Sequence, residues 1–391
     1  MRRAEGMRAP AVLSWGAFAM LLLCAGCSRP AKPGDPLPGL TRAERDRFDR
    51  GKIVFQRTFA PETGLGPLFN ADRCAECHED PAVGGRGDER ETHATALRHD
   101  GTCDDLAARG GPVFQLHATP ALTKALGIDA EPIPPEATER ATRTTPDILG
   151  FGLLDAVPTS EILARADPDD RDGDGISGRP NRFTDGRVGR FGRKAFVPTL
   201  REFNAGAFLN EQGVTSTMFP NEGTIAGAPI PAGVDPLPEP EINDADFALA
   251  DDFVRFLAPP SPLRMSVASW SGRRLFIRIE CAACHLPVLR TGDSPEPALR
   301  YRRVAAYTDL LLHDMGPDLA DICLGLAKPT EFRTEPLMGL HLSQVFLHDG
   351  RAKTIEEAIR MHGGEATRSR DLFAALSDRD RRSLLEFLGR L

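Results

Sequence analysis

Apolar residues recur at helical spacing in several stretches of the chain, and this pattern predicts its main helices. One helix is expected to begin near Thr41, with Phe48, Val54 and Phe55 among its apolar residues. Another, ADFALADDFVRFLAPP, should end at the proline pair 259–260. The C-terminal stretch SDRDRRSLLEFLGRL has apolar residues at 384, 385, 387, 388 and 391, with Ser377 or Asp378 as the N-cap. The pattern therefore favours a mainly helical protein.

The segments between these helices carry no comparable period. Residues 80–144 appear irregular, with prolines at 132, 134 and 135, and few helices are expected there. Residues 28–40 are proline-rich and predict a tether, and residues 229–241 predict a linker. We therefore expect a mainly α fold with long irregular insertions and little strand.

The N-terminal residues 1–27 are typical of an export signal. Arg2, Arg3 and Arg8 precede the apolar run AVLSWGAFAMLLLCAG, which is short for a membrane span. The ending LLLCAGC resembles a bacterial lipoprotein box, although Cys24 stands where leucine is usual. Acylation of Cys27, with anchoring to the outer membrane, and simple cleavage both remain open. Either outcome predicts a periplasmic protein.

Length and charge narrow the class of protein further. The chain has 391 residues, which is enough for two or three domains with a sizeable core. Its formal net charge of −8 argues against a nucleic-acid partner.

Two pentapeptides carry the most specific chemistry in the sequence. They are CAECH at 74–78 and CAACH at 281–285. Two cysteines two apart followed by histidine form the attachment motif of c-type haem. The thiols of Cys74 and Cys77, and those of Cys281 and Cys284, would add to the porphyrin vinyl groups, while His78 and His285 would ligate the iron atoms. Half of a zinc site or a redox dithiol is the alternative, but no second cysteine pair follows at zinc-finger spacing. The sequence predicts two covalently bound haems c, and covalent attachment fits an exported protein.

Two cysteines remain once the signal peptide and the haem motifs are set aside. Cys103 and Cys323 lie in a chain predicted to reach a compartment that permits disulfides. A bridge between them and a pair of buried thiols both remain open, because the sequence does not fix their separation.

An acidic loop lies in the middle of the chain, within DPDDRDGDGISGRPN. Asp170, Asp172 and Asp174 alternate and are followed by Gly175, as in the first half of an EF-hand loop. Asn181 stands at the twelfth position, where a bidentate glutamate is usual, so a carbonyl-type ligand would have to replace the acid. We expect Ca²⁺ here, with a solvated acidic turn as the alternative.

The stretch FRTEPLMGL…VFLHDGRAKTIEEAIRMHGGEA resembles the bacterial di-haem cytochrome c peroxidase and MauG superfamily. The resemblance is strongest to its di-haem oxidoreductase branch, the thiol oxidoreductases. Further matches, in the family's order, are GLGPLFNADRCAECH, DILGFGLLDAVP, DGDGISGRPN, GRFGRKA and DLLLHDMGPDLAD. The resemblance implies two cytochrome c-type haem domains, at 41–144 and 261–391, around a middle insertion at 145–260 that contains the acidic loop. WSGRRLFIRIE, before the second pentapeptide, resembles the first helix of such a domain.

The resemblance also implies ligands for the second haem. In the superfamily a His-Asp-Gly motif, here beginning at His348, is followed fourteen residues later by the distal ligand, which is Met in the peroxidases and Tyr in MauG. That position is His362. A Thr354/Glu357 capping box predicts a helix from 355 that ends at the glycines 363–364 and carries His362 on its apolar face. A capping histidine is the alternative role, and the competing ligands are Met361, Met315 and His313.

By the same resemblance, the C-terminal haem relays electrons and the N-terminal haem receives hydrogen peroxide. Glu211 and Gln212 are the candidate catalytic residues, and Glu222 is a further polar group of the kind that a peroxide site needs. The family's tryptophan between the haems has no match here, since Trp270 lies beside the second motif.

Two functions stay open at this stage. The first is a peroxidase or a MauG-like oxidase, supplied with electrons by a small cytochrome or cupredoxin or by a protein substrate. The second is a non-catalytic di-haem electron carrier, in which His93, His99 or His117 fills the sixth position at the first iron.

Overall fold

Helices form most of the regular structure in a computed structural model of the chain, which describes residues 30–391. Helix accounts for 33% of the structure and strand for 13%, which agrees with the expected mainly helical class. The helices are α1 Arg42–Phe55, α2 Cys74–Cys77, α3 Pro120–Leu126, α4 Phe151–Asp155, α5 Thr159–Leu163, α6 Leu200–Gln212, α7 Asp244–Phe256, α8 Val267–Arg278, α9 Ile355–Arg360, α10 Thr367–Ala374 and α11 Asp378–Leu388. The predicted export peptide lies outside the described residues. Within 30–391, no helix combines the length and the apolar character needed to cross a membrane.

Local capping explains where two of the predicted helices start. Thr41 and Glu44 form a capping box at the start of α1. Ser377 accepts a hydrogen bond from the Asp380 N–H at the start of α11. Both starts agree with the sequence prediction, because caps depend on residues three apart.

Two helix pairs frame the pentapeptides, and both cross at a glycine. A Cβ at Gly51 of α1 would lie 2.0 Å from the Leu249 carbonyl oxygen of α7. A Cβ at Gly272 of α8 would lie 2.0 Å from the Ser383 carbonyl oxygen of α11. Since no side chain fits at either crossing, both helix pairs need glycine to pack this closely.

The strands are short, apart from two longer ones in a sheet near the first pentapeptide. They are β1 Leu68–Phe69, β2 Arg90–Leu97, β3 Cys103–Asp104, β4 Val113–Phe114, β5 His117–Ala118, β6 Glu139–Thr144, β7 Leu289–Arg290, β8 Arg303–Val304, β9 Leu312–Asp314 and β10 Glu331–Arg333. In the main sheet β2 pairs antiparallel with β3, β4 and β6. The smaller sheets are the antiparallel pairs β1–β5, β7–β8 and β9–β10.

The expectation that residues 80–144 are irregular was therefore wrong. Alternating residues in RETHATAL and ERATRT form β2 and β6, whose register pairs Thr92 with Thr142 and Ala94 with Arg140. The alternation was hard to recognise because few of these residues are strongly apolar, so the strands depend on pairing across the sheet.

One hydrophobic core joins all three predicted segments. Phe48 and Phe55 of α1 share it with Leu154 of α4, Phe253 of α7 and Leu310. A second core gathers α8 and α11 around Phe276 and Phe387 (ring centroids 5.5 Å apart). Residues 31–391 form one compact unit, and the boundaries at 144 and 260 stay a prediction.

The second half of the predicted tether packs against the protein. Leu37 is 4% exposed, and its N–H donates to the Phe256 carbonyl at the end of α7 (2.8 Å). The Ala258 N–H donates to the Asp35 carbonyl (2.9 Å). Residues 35–37 are therefore part of the folded unit and not a free linker.

A disulfide joins β3 to the second half of the chain. Cys103 and Cys323 are bridged, with their Cα atoms 5.8 Å apart across a sequence separation of 220. The alternative of two buried thiols is wrong. The bridge ties the sheet near the first pentapeptide to residues that follow the second one.

Candidate functional site

The first four residues of the first pentapeptide form α2, and its histidine, His78, follows the helix directly. Both thiols are free of disulfides. The Nδ1–H of His78 donates to the Gly85 carbonyl oxygen (2.9 Å), which fixes the ring and makes Nε2 the nitrogen that would face an iron. Phe55, at the end of α1, lies beside the ring at a centroid distance of 6.1 Å.

The second pentapeptide follows α8 and repeats this arrangement. Cys281 and Cys284 are free of disulfides. The Nδ1–H of His285 donates to the Tyr307 carbonyl oxygen (3.0 Å), leaving Nε2 free. Phe276 of α8 lies beside this ring at 6.4 Å. The two pentapeptides thus present the same local ligand geometry.

A cavity of about 700 Å³ adjoins the second pentapeptide. Cys281, Cys284 and His285 line it together with apolar side chains such as Ile359 and Leu337. This volume lies within the range of about 300–1,000 Å³ that is usual for ligand and cofactor pockets. Free thiols, an oriented imidazole and an apolar wall at one cavity are the donor set that a covalently bound haem requires, so the residues present fit the group.

His362 lines the same cavity from another part of the chain. It follows α9, which starts with the predicted Thr354/Glu357 capping box but ends at Arg360, before the predicted end at the glycines. Its Nδ1–H donates to the Ala358 carbonyl oxygen (2.7 Å), so its Nε2 is also free. His285 and His362 therefore show the same ring orientation, each held by a backbone carbonyl.

The residues that compete with His362 as ligand differ in their placement. Met315 lines the cavity, as does His348 of the His-Asp-Gly motif. Met361 is 38% exposed. Both ring nitrogens of His313 contact carboxylates, Asp309 through Nε2 and Glu365 through Nδ1, each at 2.8 Å. Because neither nitrogen of His313 is free, His313 is excluded as an iron ligand in this conformation.

The end of α6 places both predicted catalytic residues against the first pentapeptide. Gln212, 1% exposed, donates from Nε2 to Cys74 Sγ (3.2 Å), and its Oε1 has no hydrogen-bond partner within residues 30–391. Glu211 accepts a hydrogen bond from Asn70 Nδ2 (2.7 Å). Burial, and next the charge of Glu91, raise the pKa of Glu211 well above its usual range.

A second acidic group near this pentapeptide was missed at the sequence level. Glu91 of β2 accepts a hydrogen bond from His93 Nε2 (2.9 Å), and His93 is 7% exposed. Burial alone would raise the pKa of Glu91, but the hydrogen bond from His93 and the charges of His93 and Arg143 outweigh it, so this pKa lies below its usual value. The available signal was the spacing of two residues, which places both side chains on one face of a strand.

The three histidines proposed as sixth ligands of the first iron differ in their exposure to solvent. His99 and His117 are exposed. His93 is buried in the sheet rather than facing solvent, and its Nε2 contacts Glu91. Glu222 lies with Asp235 and Glu239, within 4.8 Å between carboxylate oxygens, in a separate acidic group.

Comparison with known proteins identifies the family. A family profile described as "Di-haem oxidoreductase, putative peroxidase" matches residues 136–391. The chain belongs to this family. The resemblance inferred from the sequence motifs is thereby confirmed, and the family implies haem cofactors. No curated protein matches the sequence.

Solved structures resemble this di-haem oxidoreductase at low sequence identity. Hydrazine synthase of Kuenenia stuttgartiensis is 14% identical, with 98% of this chain and 100% of that chain covered and a TM-score of 0.43. A MauG-like protein associated with microbial copper homeostasis is 16% identical, with 93% and 92% covered and a TM-score of 0.41. The diheme peroxidase BthA from Burkholderia thailandensis is 15% identical, with 88% and 86% covered and a TM-score of 0.42.

In this di-haem oxidoreductase His313 forms a charged contact beside the second pentapeptide. Its Nδ1 also lies 3.6 Å from Cys284 Sγ. Burial alone would lower the pKa of His313, but the hydrogen bonds to Asp309, Cys284 and Glu365 outweigh it and raise this pKa. Because ionised carboxylates only accept hydrogen bonds, both ring nitrogens must donate, and His313 is an imidazolium.

The acidic loop is connected through hydrogen bonds to Glu365, the carboxylate that contacts His313. Carboxylate oxygens of Asp170, Asp172 and Asp174 lie within 4.8 Å of one another, a separation that one cation could bridge. The Ser177 hydroxyl, three residues after the last of them, donates to Glu365 Oε1 (2.6 Å). Asn181 does not offer its carbonyl-type oxygen to this loop, because its Oδ1 accepts hydrogen bonds from the backbone N–H groups of Arg182 (2.8 Å) and Leu326 (2.9 Å).

Proposed function

We propose that the protein is an exported di-haem peroxidase that reduces hydrogen peroxide beside the first pentapeptide, with electrons relayed through the second. The observation that carries the proposal is the pair Glu91 and Glu211, two carboxyl groups whose surroundings move their pKa values in opposite directions. Such a pair is the usual arrangement for one proton acceptor and one proton donor. The pair accompanies the first pentapeptide, whereas the second adjoins the larger cavity, whose lining combines apolar side chains with charged ones such as Arg333 and Glu335.

The chain's own residues would hold the two haems. Cys74 and Cys77 would hold one, with His78 Nε2 facing its iron. Cys281 and Cys284 would hold the other, with His285 and His362 as its two iron ligands. Each iron, when present, supplies the one-electron chemistry that carboxyl and imidazole groups lack.

Proton transfer is the part of the reaction assigned to side chains. Peroxide reduction to two waters consumes two protons and two electrons, so protons must be moved within the site. Glu91 is ionised and able to accept the first peroxide proton on a carboxylate oxygen. Glu211 is protonated over a wider pH range than an ordinary glutamate and able to donate to the departing oxygen. The unpartnered Gln212 Oε1 is available to orient the peroxide O–H group.

The alternative of a non-catalytic carrier requires a sixth ligand at the first iron. The contact of His93 Nε2 with Glu91 weighs against His93 in that role. MauG-like oxidation of a protein side chain would use the same proton-transferring groups, and product analysis separates it from peroxide reduction.

Substitution of Glu211 by glutamine tests the proposal. Glu211→Gln should lower peroxide turnover by about a hundredfold or more, the usual contribution of a positioned acid. In the wild type, turnover should fall as pH rises through the raised pKa of Glu211, because the protonated donor is lost, and the variant should lack this dependence. Steady-state peroxide consumption between pH 5 and 9 measures both effects.

Glu222→Gln is the matched control, because burial also raises the pKa of Glu222, to about 8, in the separate acidic group. It should retain wild-type turnover. Both variants should keep two covalent haems, as measured by pyridine haemochrome. Wild-type turnover in Glu211→Gln with both haems present would overturn the assignment.

A further inference from the structure

A second cavity, of about 370 Å³, lies on the outer side of His348. His348 also lines the larger cavity beside His285 and His362, so it forms part of the wall between the two cavities. Its ring is 7% exposed and stacks on the Phe332 ring with the centroids 4.7 Å apart. Phe332 lines the larger cavity as well. Two aromatic rings therefore separate the second cavity from the space beside the second pentapeptide.

The lining of the second cavity is cationic, and we refer to it as the basic pocket. Four exposed side chains contribute positive charge: Arg90, Arg140, Arg351 and Lys353. Of these, Arg351 pairs with Asp349 in the lining. The other three form no ion pair with the carboxylates of this lining within residues 30–391.

The remaining carboxylate of the basic pocket is already compensated. Asp321 pairs with Arg143 (2.6 Å) and with Lys194 (2.7 Å), both of which are buried. Asp321 is thus neutralised in the interior, and the exposed Arg and Lys side chains set the sign of the charge of the pocket. The chain as a whole carries a formal charge of −8, so this positive region contrasts with the average surface.

The spacing of the charges suits a protein partner. Arg140 of β6 is paired with Ala94 of β2, and Arg90 lies four residues along β2 from Ala94. At about 3.3 Å per residue, the backbone positions of the two arginines are about 13 Å apart along the sheet. Cations anchored over this length suit several carboxylates spread over a protein surface, and reduction by ferrocyanide, a small anion, separates the two kinds of partner.

We propose that the basic pocket is the docking surface for an acidic electron-donor protein, which delivers electrons past His348 towards the second pentapeptide. The inference rests on the proposed function, because it supplies the electrons that peroxide reduction consumes. Each encounter oxidises the donor metal by one electron and reduces one haem by one electron, with no bond made or broken. Two encounters supply one peroxide. An acidic donor is repelled by most of the chain, so the attraction is localised at this pocket.

Reduction kinetics without peroxide test the docking surface. Stopped-flow mixing of the oxidised holoprotein with a reduced acidic cupredoxin of the plastocyanin class gives the second-order rate constant. Arg140→Glu and Lys353→Glu should each lower this constant about tenfold at low ionic strength. The difference should disappear in high salt, where the Debye length falls to about 3 Å. Titration calorimetry with the redox-inert zinc form of the same cupredoxin should show the same loss as a weaker Kd.

Arg379→Glu is the matched charge reversal, since Arg379 is exposed on α11 and lines neither cavity. It should leave the rate constant and Kd unchanged. The proposal is overturned if Arg140→Glu behaves like Arg379→Glu, or if ferrocyanide reduction responds to the substitutions and cupredoxin reduction does not, which would indicate a small-anion pocket. A protein that accepts electrons normally but does not reduce peroxide would overturn the proposed function and leave the docking surface intact.

Discussion

The two pentapeptide regions of this molecule share their local chemistry and differ in what surrounds it. In both, a proximal histidine donates from Nδ1 to a backbone carbonyl, at Gly85 in one region and Tyr307 in the other. In both, a phenylalanine of the preceding helix lies beside the imidazole, and that helix crosses a partner at a glycine. The local arrangement of residues that would hold a haem therefore occurs twice in the chain.

The surroundings separate the two regions. Two half-buried carboxyl groups, Glu91 and Glu211, accompany the first pentapeptide. The second adjoins a cavity that His362 also lines, and its Cys284 contacts the imidazolium of His313. One region has two carboxyl groups whose pKa values are moved in opposite directions, and the other has a second imidazole at its cavity. The comparison teaches that two copies of one local motif receive different surroundings from distant segments of the chain.

Removal of one cysteine pair at a time should have the largest effect. Replacement of Cys74 and Cys77 by alanine, or of Cys281 and Cys284, should each lower the covalent haem count from two to one, because each thioether pair is specific to one porphyrin. Pyridine haemochrome analysis of denatured protein measures the count. The first variant should lose peroxide turnover and keep a low-spin haem, whereas the second should keep an open haem that no longer receives electrons. Identical spectra from the two variants would contradict the difference between the regions.

Loss of His362 should affect the second region alone. His362→Ala should convert one low-spin ferric haem to high-spin or lead to its ligation by methionine, which would raise its reduction potential because thioether favours ferrous iron. Electron paramagnetic resonance and potentiometry measure both changes. Met315→Ala, at the wall of the same cavity, is the control and should leave the low-spin signal intact. The reverse result would assign the ligand to Met315.

Calcium removal should produce the smallest effect, and we expect it to reach the second region through Ser177, Glu365 and His313. A calcium concentration a hundredfold above Kd stabilises the fold by about 2.7 kcal/mol. Chelation or Asp172→Ala should remove that stabilisation, as a lower Tm and a loss of calcium in metal analysis. Asp169→Ala, which removes a carboxylate of the same loop outside the group of three, should retain calcium. If the dialysed wild type contains no calcium and gains no stability when calcium is added, the loop is only an acidic turn.

Several features followed from the sequence because they depend on short-range chemistry. The two pentapeptides, the helix start near Thr41, the capping box at Thr354 and the C-terminal amphipathic helix each involve residues within one or two helical turns. The same holds for the alternating carboxylates at 170–174. For such features the spacing along the chain is also the spacing in space, so the pattern determined them without knowledge of the fold.

Other features were decided by the tertiary structure. Glu91 and Glu211 become neighbours, Cys103 and Cys323 become bridged, and His285 and His362 come to line one cavity, although each pair lies far apart along the chain. The β2–β6 pairing has the same origin, since polar strands become stable only when paired. Burial then raises the pKa of Glu211, and hydrogen bonds from distant segments raise the pKa of His313 against its burial; both depend on the packed whole. The sequence by itself determined the two pentapeptides and so predicted two haem sites, and the packing of distant segments decided which carboxyl and imidazole groups surround each of them.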